Sequence, residues 1–233
     1  MPIKRTYASH GDACATAHAV ELLGDRWSYP VLRELMLGPK RFSELAAALW
    51  GITPAVLTAR LRQLEGSGLV RRVTLPAPAR ATAYECTPWA RELQPIFQAL
   101  GRWAVRSPLR ADAGGGLTPD AMVQSMLTMA PARTMDPPLE LELEFADARS
   151  GPAAVWYAYR LRWADRLVIE RSTEPDRARA GVRGDSSAWA RVLYEDAAPD
   201  AMEITGDPTE VARLIEAYAG TVGNGAADSA GPG

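Results

Sequence analysis

Between Gly38 and Val73 the chain reads GPKRFSELAAALWGITPAVLTARLRQLEGSGLVRRV, and no other stretch limits the fold as strongly. A Gly-Pro stop precedes a short helical segment from Phe42 to Leu49, with Leu45, Ala46 and Leu49 inward. Thr53 and Pro54 then start a second helix, because the threonine hydroxyl can take an orphan amide and proline has no amide to leave unpaired. Along that helix, Thr53 to Glu65, Leu57, Leu61 and Leu64 share one face, so Thr58, Ala59, Arg62 and Gln63 point away from it. Gly66 and Gly68 end the helix. Leu69 to Leu75 and Thr82 to Cys86 read as strands, joined by PAPARA at a hairpin tip.

Helix, turn, helix and basic hairpin is the order of a winged helix-turn-helix, a device that lays its second helix in the major groove of DNA. On this reading Thr53, Pro54, Ala55, Thr58 and Ala59 face the groove, and Arg60 and Arg62 face its wall. Lys40 and Arg41 open the first helix, and Arg71, Arg72 and Arg80 of the wing meet phosphate or the minor groove. Phosphate contacts supply salt-dependent affinity and register, whereas base edges supply sequence choice. The groove face has few hydrogen-bonding side chains, which shifts specificity toward thymine methyls and DNA shape.

Charge is divided along the chain. Residues 1–110 hold 15 Lys and Arg against 8 Asp and Glu; the rest hold 11 against 20, so a half of +7 precedes a half of −9. A polyanion-binding module joined to one that avoids polyanions has this balance. No apolar run reaches the roughly 20 residues of a membrane span. The first residues lack the apolar core of a secretory signal, so a cytoplasmic protein is expected. Two cysteines, Cys14 and Cys86, make no disulfide framework. His10, Cys14 and His18 form a loose H-x3-C-x3-H cluster without an evident fourth ligand, so neither a metal nor a cofactor is expected.

The fold class expected is α+β, with four parts. Residues 1–106 form the DNA-binding and dimerisation domain, 107–117 a Gly/Pro-rich linker, 118–220 a second domain and 221–233 a disordered Gly/Ala/Ser tail. In the first domain, helices are expected from Ala15 to Leu23 and after an Asp25 cap, and one long amphipathic helix from Pro88. In the second, Thr118-Pro119 opens a helix, and LELELEF at 139–145 alternates as a half-buried strand should. Three strands follow, one across AVWYAYRLRW, one from Arg166 to Arg171 and one from Ala178 to Arg183. A helix at Ser187 to Glu195, a short strand at Ala201 to Thr205 and a last helix from Asp207-Pro208 to Tyr218 complete a mainly antiparallel sheet domain. Glu140, Glu142 and Glu144, spaced by two beside Arg160 and Arg162, read as a solvated salt-bridge ladder rather than a carboxylate site.

Three ordered segments, ELLGDRWSYPVLRELMLGPKRFSEL, GITPAVLTARLRQLEGSGLVRR and AYECTPWARELQPIFQALGRWA, resemble the HxlR-type winged-helix regulators over about residues 13–105. The shared pattern is Gly24 with Trp27, Arg41-Phe42, Leu57 to Leu61 as Leu-x-x-Arg-Leu, and Tyr84 to Thr87, with Cys86 standing where the family has leucine. The resemblance implies a homodimer on a palindromic operator in double-stranded DNA, paired through its terminal helices. The stripe Leu93, Ile96, Phe97, Leu100 and Trp103 suits that role, or else packs only on its own domain. Cys14 stands where several family members have a redox-sensing cysteine, just before the first helix, and a helix N-terminus favours thiolate.

From about 118 to 220 the chain resembles, more weakly, the sterol carrier protein type of fold. The resemblance lies in Gly181 to Trp189, a strand ending in Gly-Asp before a helix bearing tryptophan, and in Ile204 to Pro208. That fold implies a pocket for a hydrophobic ligand. Met122, Met126, Trp156, Tyr157, Tyr159 and Trp189 are its candidate lining, against the plainer reading that they are core.

Together these features describe a dimeric DNA-binding transcriptional regulator, a repressor whose second domain senses a hydrophobic small molecule. One alternative is a thiol-based redox sensor using Cys14. A remote one is a carrier or enzyme bearing a DNA-binding module. Both histidines precede residue 20, and no nucleophile–base–orienter set, Walker loop or GxGxxG is present, so no catalytic residue is assigned.

Overall fold

In the computed structural model, which describes residues 7–108, 115–172 and 180–221, the first helices lie where the apolar spacing places them. Helix α1 spans Ala15–Leu23 and α2 Ser28–Leu35. Asp25 opens α2 by accepting the Trp27 amide on Oδ1 at 3.1 Å, an Asx-type bond that turns the chain into the helix. Helix α3 spans Phe42–Ala48 and α4 Pro54–Gly66; strand β1 is Val70–Thr74 and β2 Thr82–Cys86. Thr53 caps α4 by accepting the Val56 amide at 3.4 Å. Val31, Leu32 and Leu35 of α2 meet Leu45, Leu57, Leu61 and Leu64 in a buried core that the hairpin closes with Val70, Ala83 and Cys86.

The helix expected to run unbroken from Pro88 is two helices, α5 at Pro88–Arg91 and α6 at Gln94–Ala104. Pro95 has no amide to offer the Arg91 carbonyl, so the first piece stops and a second begins.

Beyond it lie α7 (Pro119–Met129), β3 (Leu139–Ala146), β4 (Tyr157–Trp163), β5 (Leu167–Ser172), β6 (Ala180–Asp185), α8 (Ser186–Tyr194), β7 (Glu203–Gly206) and α9 (Pro208–Tyr218). The strands form one sheet in the order β5-β4-β3-β6-β7, in which β3 and β6 run parallel and the other neighbours antiparallel. Thr118, Asp185 and Asp207 cap α7, α8 and α9. The chain is thus α+β, a helix-turn-helix followed by a separate sheet-containing region.

Alternation in β3 divides the sheet. Leu139, Leu141, Leu143 and Phe145 are buried under α7, α8 and α9, with Trp163 edge-on to Tyr218 at 5.8 Å. The glutamates occupy the other face, where Glu140 stands opposite Arg162 and Glu142 opposite Arg160. Arg162 lies 4.0 Å from Glu140, and Arg183 lies 3.0 Å from Glu144 and 3.4 Å from Glu203. The acid row is a charge-balanced outer face.

The chain divides into two compact units between Gln94 and Pro95, ahead of the 107–117 linker that the sequence suggests. Helix α6 therefore groups with the second unit. It crosses α7 at Gly101, where a Cβ would come within 2.9 Å of Thr128 Cγ2, and Arg102 Nη1 donates to the Thr128 carbonyl at 3.1 Å. Most of the expected linker, residues 109–114, lies outside the described residues, as do residues 178–179 of the expected fourth strand and the expected tail after Thr221.

Candidate nucleic-acid interface

Two helices and a hairpin set the site. At the start of α3, the Arg41 amide donates to Glu44 Oε2 at 2.7 Å and Arg41 Nε to the same oxygen at 3.0 Å. The turn into α4 needs Gly51, whose φ of +83° is costly for a residue with a Cβ. Leu57, Leu61 and Leu64 anchor the inner face of α4. Thr53, Pro54, Ala55, Ala59, Arg62 and Gln63 are exposed on the outside, and Thr58 is half-buried.

That outer face has little left to read bases with. Thr58 Oγ1 donates to the Pro54 carbonyl at 2.8 Å, and the Thr53 hydroxyl is taken up in capping. Arg62 has no hydrogen-bond or ion-pair partner among the described residues. Val56 and Trp50, which the sequence reading did not assign, are also exposed beside the helix start. No periodicity marks Trp50, because it lies in the turn.

Two expected DNA contacts are corrected. Lys40 is 1% exposed, with Nζ 2.5 Å from Glu34 Oε2, and its backbone pairs with Tyr84 through bonds of 2.9 and 2.8 Å. It ties the start of α3 to the hairpin from inside. Arg60 is also buried. It is ion-paired to Asp25, and its Nη1 donates to Gln63 Oε1 at 2.5 Å, so it joins α4 to the start of α2. Both turn inward because a carboxylate meets them there, Glu34 on α2 and Asp25 in the turn before it, which the order of residues does not reveal.

The wing is an antiparallel pair in which Arg71 stands opposite Glu85 and Arg72 opposite Tyr84. Arg71 Nη2 is 2.6 Å from Glu85 Oε1, Arg72 Nε is 2.9 Å from Glu65 Oε1, and Arg91 lies 3.6 Å from Glu85. Arg80 is exposed at the tip, with φ of +34°; its amide donates to the Pro76 carbonyl at 3.3 Å, and its side chain has no partner among the described residues.

The expected self-association stripe is split. Ile96, Leu100 and Trp103 are 57%, 53% and 66% exposed, recurring at i, i+4 and i+7 on one face of α6. Phe97 is turned inward instead, on the same side as Gly101, and Leu93 is half-buried between α5 and α6.

The candidate pocket residues are likewise separated. Met122, Met126, Tyr159 and Trp189 are buried, with Phe145 6.3 Å from both Tyr159 and Trp189. Trp156 lies on the surface under the Arg183 guanidinium, 4.2 Å from its ring, because β4 begins only at Tyr157. Tyr157 is half-buried beneath Arg171 at 4.3 Å. Arg171 is ion-paired to the buried Asp120, to which Tyr159 also donates at 2.5 Å. Burial lowers the Arg171 pKa, but Asp120 outweighs it and the value is raised. No spacing along the chain marks this polar group inside the core. The Trp189 indole N–H is buried without a partner among the described residues.

Cys14 is exposed immediately before α1. The backbone amides of Ala17 and then Thr16, at the start of α1, lower its pKa from the ordinary thiol value of 9.0. Among the described residues, no three His, Cys, Asp or Glu side chains gather where a metal ion could sit. No described helix is long and apolar enough to cross a membrane.

A family model described as HxlR-like helix-turn-helix matches residues 22–110. The chain is similar to the uncharacterized HTH-type transcriptional regulator sll1512 of Synechocystis sp., at 41% identity over 90 residues, 39% of this chain and 67% of that one. It is similar to the HTH-type transcriptional regulator YodB of Bacillus subtilis at 37% identity over 86 residues, 37% of this chain and 77% of that one. The structure of YodB in its reduced form aligns at 33% identity with a TM-score of 0.39, over 43% of this chain and 100% of the other.

Proposed function

This chain belongs to the HxlR-like helix-turn-helix family and is a transcriptional regulator, and on that premise we propose that it is a homodimeric repressor of a palindromic operator, released when an apolar small molecule enters its second unit. Ala55 and Ala59 of α4 face the groove and Arg62 its phosphate wall, with Thr53, Pro54 and Thr58 shaping its approach. Arg41, Arg71, Arg72 and Arg80 meet the backbone. Such a face reads thymine methyls and groove shape more than donor and acceptor patterns.

The observation that carries the coupling is the two-sidedness of α6. Its outer side offers Ile96, Leu100 and Trp103 to a second copy, while Gly101 on its inner side lies against Thr128 of α7. One helix thus serves self-association and also packs within the unit that carries Met122, Met126, Tyr159 and Trp189. Occupancy of that core, which resembles the sterol carrier type, shifts α7, and α6 passes the shift to the dimer. An effector with a hydrogen-bond acceptor would satisfy the Trp189 N–H, whose isolation in the core costs about 1–3 kcal/mol. Release needs about 1–3 kcal/mol of coupling between ligand and DNA.

The test is fluorescence anisotropy of the full chain on a duplex selected from a random pool, with and without palmitate or 1,4-naphthoquinone. Weaker DNA binding with either compound, lost in Trp189→Phe, is the expected result. Indifference to a broad apolar panel would remove the sensing role.

A second reading rests on Cys14. Its exposed thiol, as the thiolate after giving its proton to water, attacks one oxygen of hydrogen peroxide; the S–O bond forms as the O–O bond breaks, giving sulfenic acid with hydroxide leaving. Peroxide would then release DNA from the native chain but not from Cys14→Ser; an equal response in both refutes it.

A further inference from the structure

The wing arginines expected on DNA are already engaged in the free protein. Arg71 and Glu85 stand directly opposite in the β1–β2 register and meet at 2.6 Å. Arg72 reaches from the wing to Glu65 in the last turn of α4, at 2.9 Å, so this pair bridges the two elements that grip DNA. The Arg71 and Arg72 side chains are still 58% and 56% exposed, whereas those of Glu85 and Glu65 are 13% and 25% exposed. Each pair therefore presents its cation outward and keeps its anion beneath. Arg62 and Arg80 have no such partner among the described residues.

We propose that Glu65 and Glu85 set the affinity and salt response of this interface, holding Arg72 and Arg71 in the free protein and yielding them to phosphate when DNA binds. The proposal rests on the DNA-binding reading above. Phosphate and carboxylate are both anionic acceptors of guanidinium, so one charge-assisted bond is exchanged for another and each arginine gains little. The displaced carboxylate then lies beside a polyanion and recruits a cation, which cancels part of the counterion release that drives binding. Arg62 and Arg80 neutralise phosphate without that loss. The acids thus keep non-specific affinity low, and the closer fit of the correct sequence decides where the protein stays.

The experiment compares the full-length protein with Glu65→Gln and Glu85→Gln. Anisotropy is measured from low to high potassium chloride, on a duplex selected by the wild type and on an unrelated duplex. Each substitution is expected to tighten binding to both duplexes by about two- to fivefold, the scale of one exposed ion pair. The slope of log affinity on log salt should steepen by up to about one unit per site. Adding Arg72→Ala to Glu65→Gln should erase the gain, since the arginine set free is then absent. Affinity and slope no greater than wild type in Glu65→Gln overturn the proposal. That variant decides alone if Glu85→Gln unfolds through loss of its Arg91 contact. Wild-type protein that bound neither duplex at low salt would instead overturn the DNA-binding reading itself.

Discussion

Lys40 Nζ sits 2.5 Å from one oxygen of Glu34, Arg33 sits 2.9 Å from the other, and Lys40 and Glu34 are both out of solvent. Removing Lys40 leaves the buried Glu34 with one of its two cationic partners, so Lys40→Met should cost about 3 kcal/mol in urea unfolding. A surface phosphate contact would instead leave stability unchanged and only weaken DNA binding. Arg60, held by Asp25 and Gln63, belongs to the same class. The two cysteines are opposites. Burial pushes the Cys86 thiol up from 9.0 to about 12, while the amides near Cys14 bring its thiol down. Because the folded Cys86 value is the higher, its contribution is complete below pH 9 and is lost as pH rises toward 12, at up to about 1.4 kcal/mol per pH unit. Urea midpoints followed from pH 8 to 11 should therefore fall less steeply in Cys86→Ala than in the native chain.

The second helix of the DNA-binding motif depends on a short start signal. Thr53 accepts the Val56 amide and Pro54 occupies the first helical position, so Thr53→Ala should cost about 1 kcal/mol, read as a lower urea midpoint. This start, the leucines behind it and the hairpin after it are legible in sequence because each is set by neighbours a few residues away. The break between α5 and α6 was legible too, in Pro95, but the apolar spacing on both sides concealed it. In the second unit, LELELEF announces its strand by alternation alone. Its neighbours are another matter. The parallel pairing of β3 with β6 joins segments some 40 residues apart, and no local pattern specifies it.

For the whole molecule, the outward stripe of α6 is the largest consequence. Three large apolar side chains on one helical face are costly to leave in water, and in the proposed dimer a second copy covers them. Leu100→Glu should give monomers in sedimentation equilibrium. DNA affinity should fall about a hundredfold, since two linked half-site contacts become one. Dimers that persist in this variant would place the self-association face elsewhere. The sequence by itself determined the helix-turn-helix and wing, the alternating strand, the charge division and the α+β class. All of these follow from residue spacing, caps and composition within short windows. Only the tertiary structure decided which cations face solvent, that Phe97 and Gly101 turn inward while Ile96, Leu100 and Trp103 turn out, and that Trp156 leaves the core. It also decided that Asp120 meets Arg171 there, and that Glu65 and Glu85 take hold of the wing. The reason is physical: an ion pair or a buried contact depends on where distant backbone segments bring two groups together, and spacing along the chain carries no record of that distance.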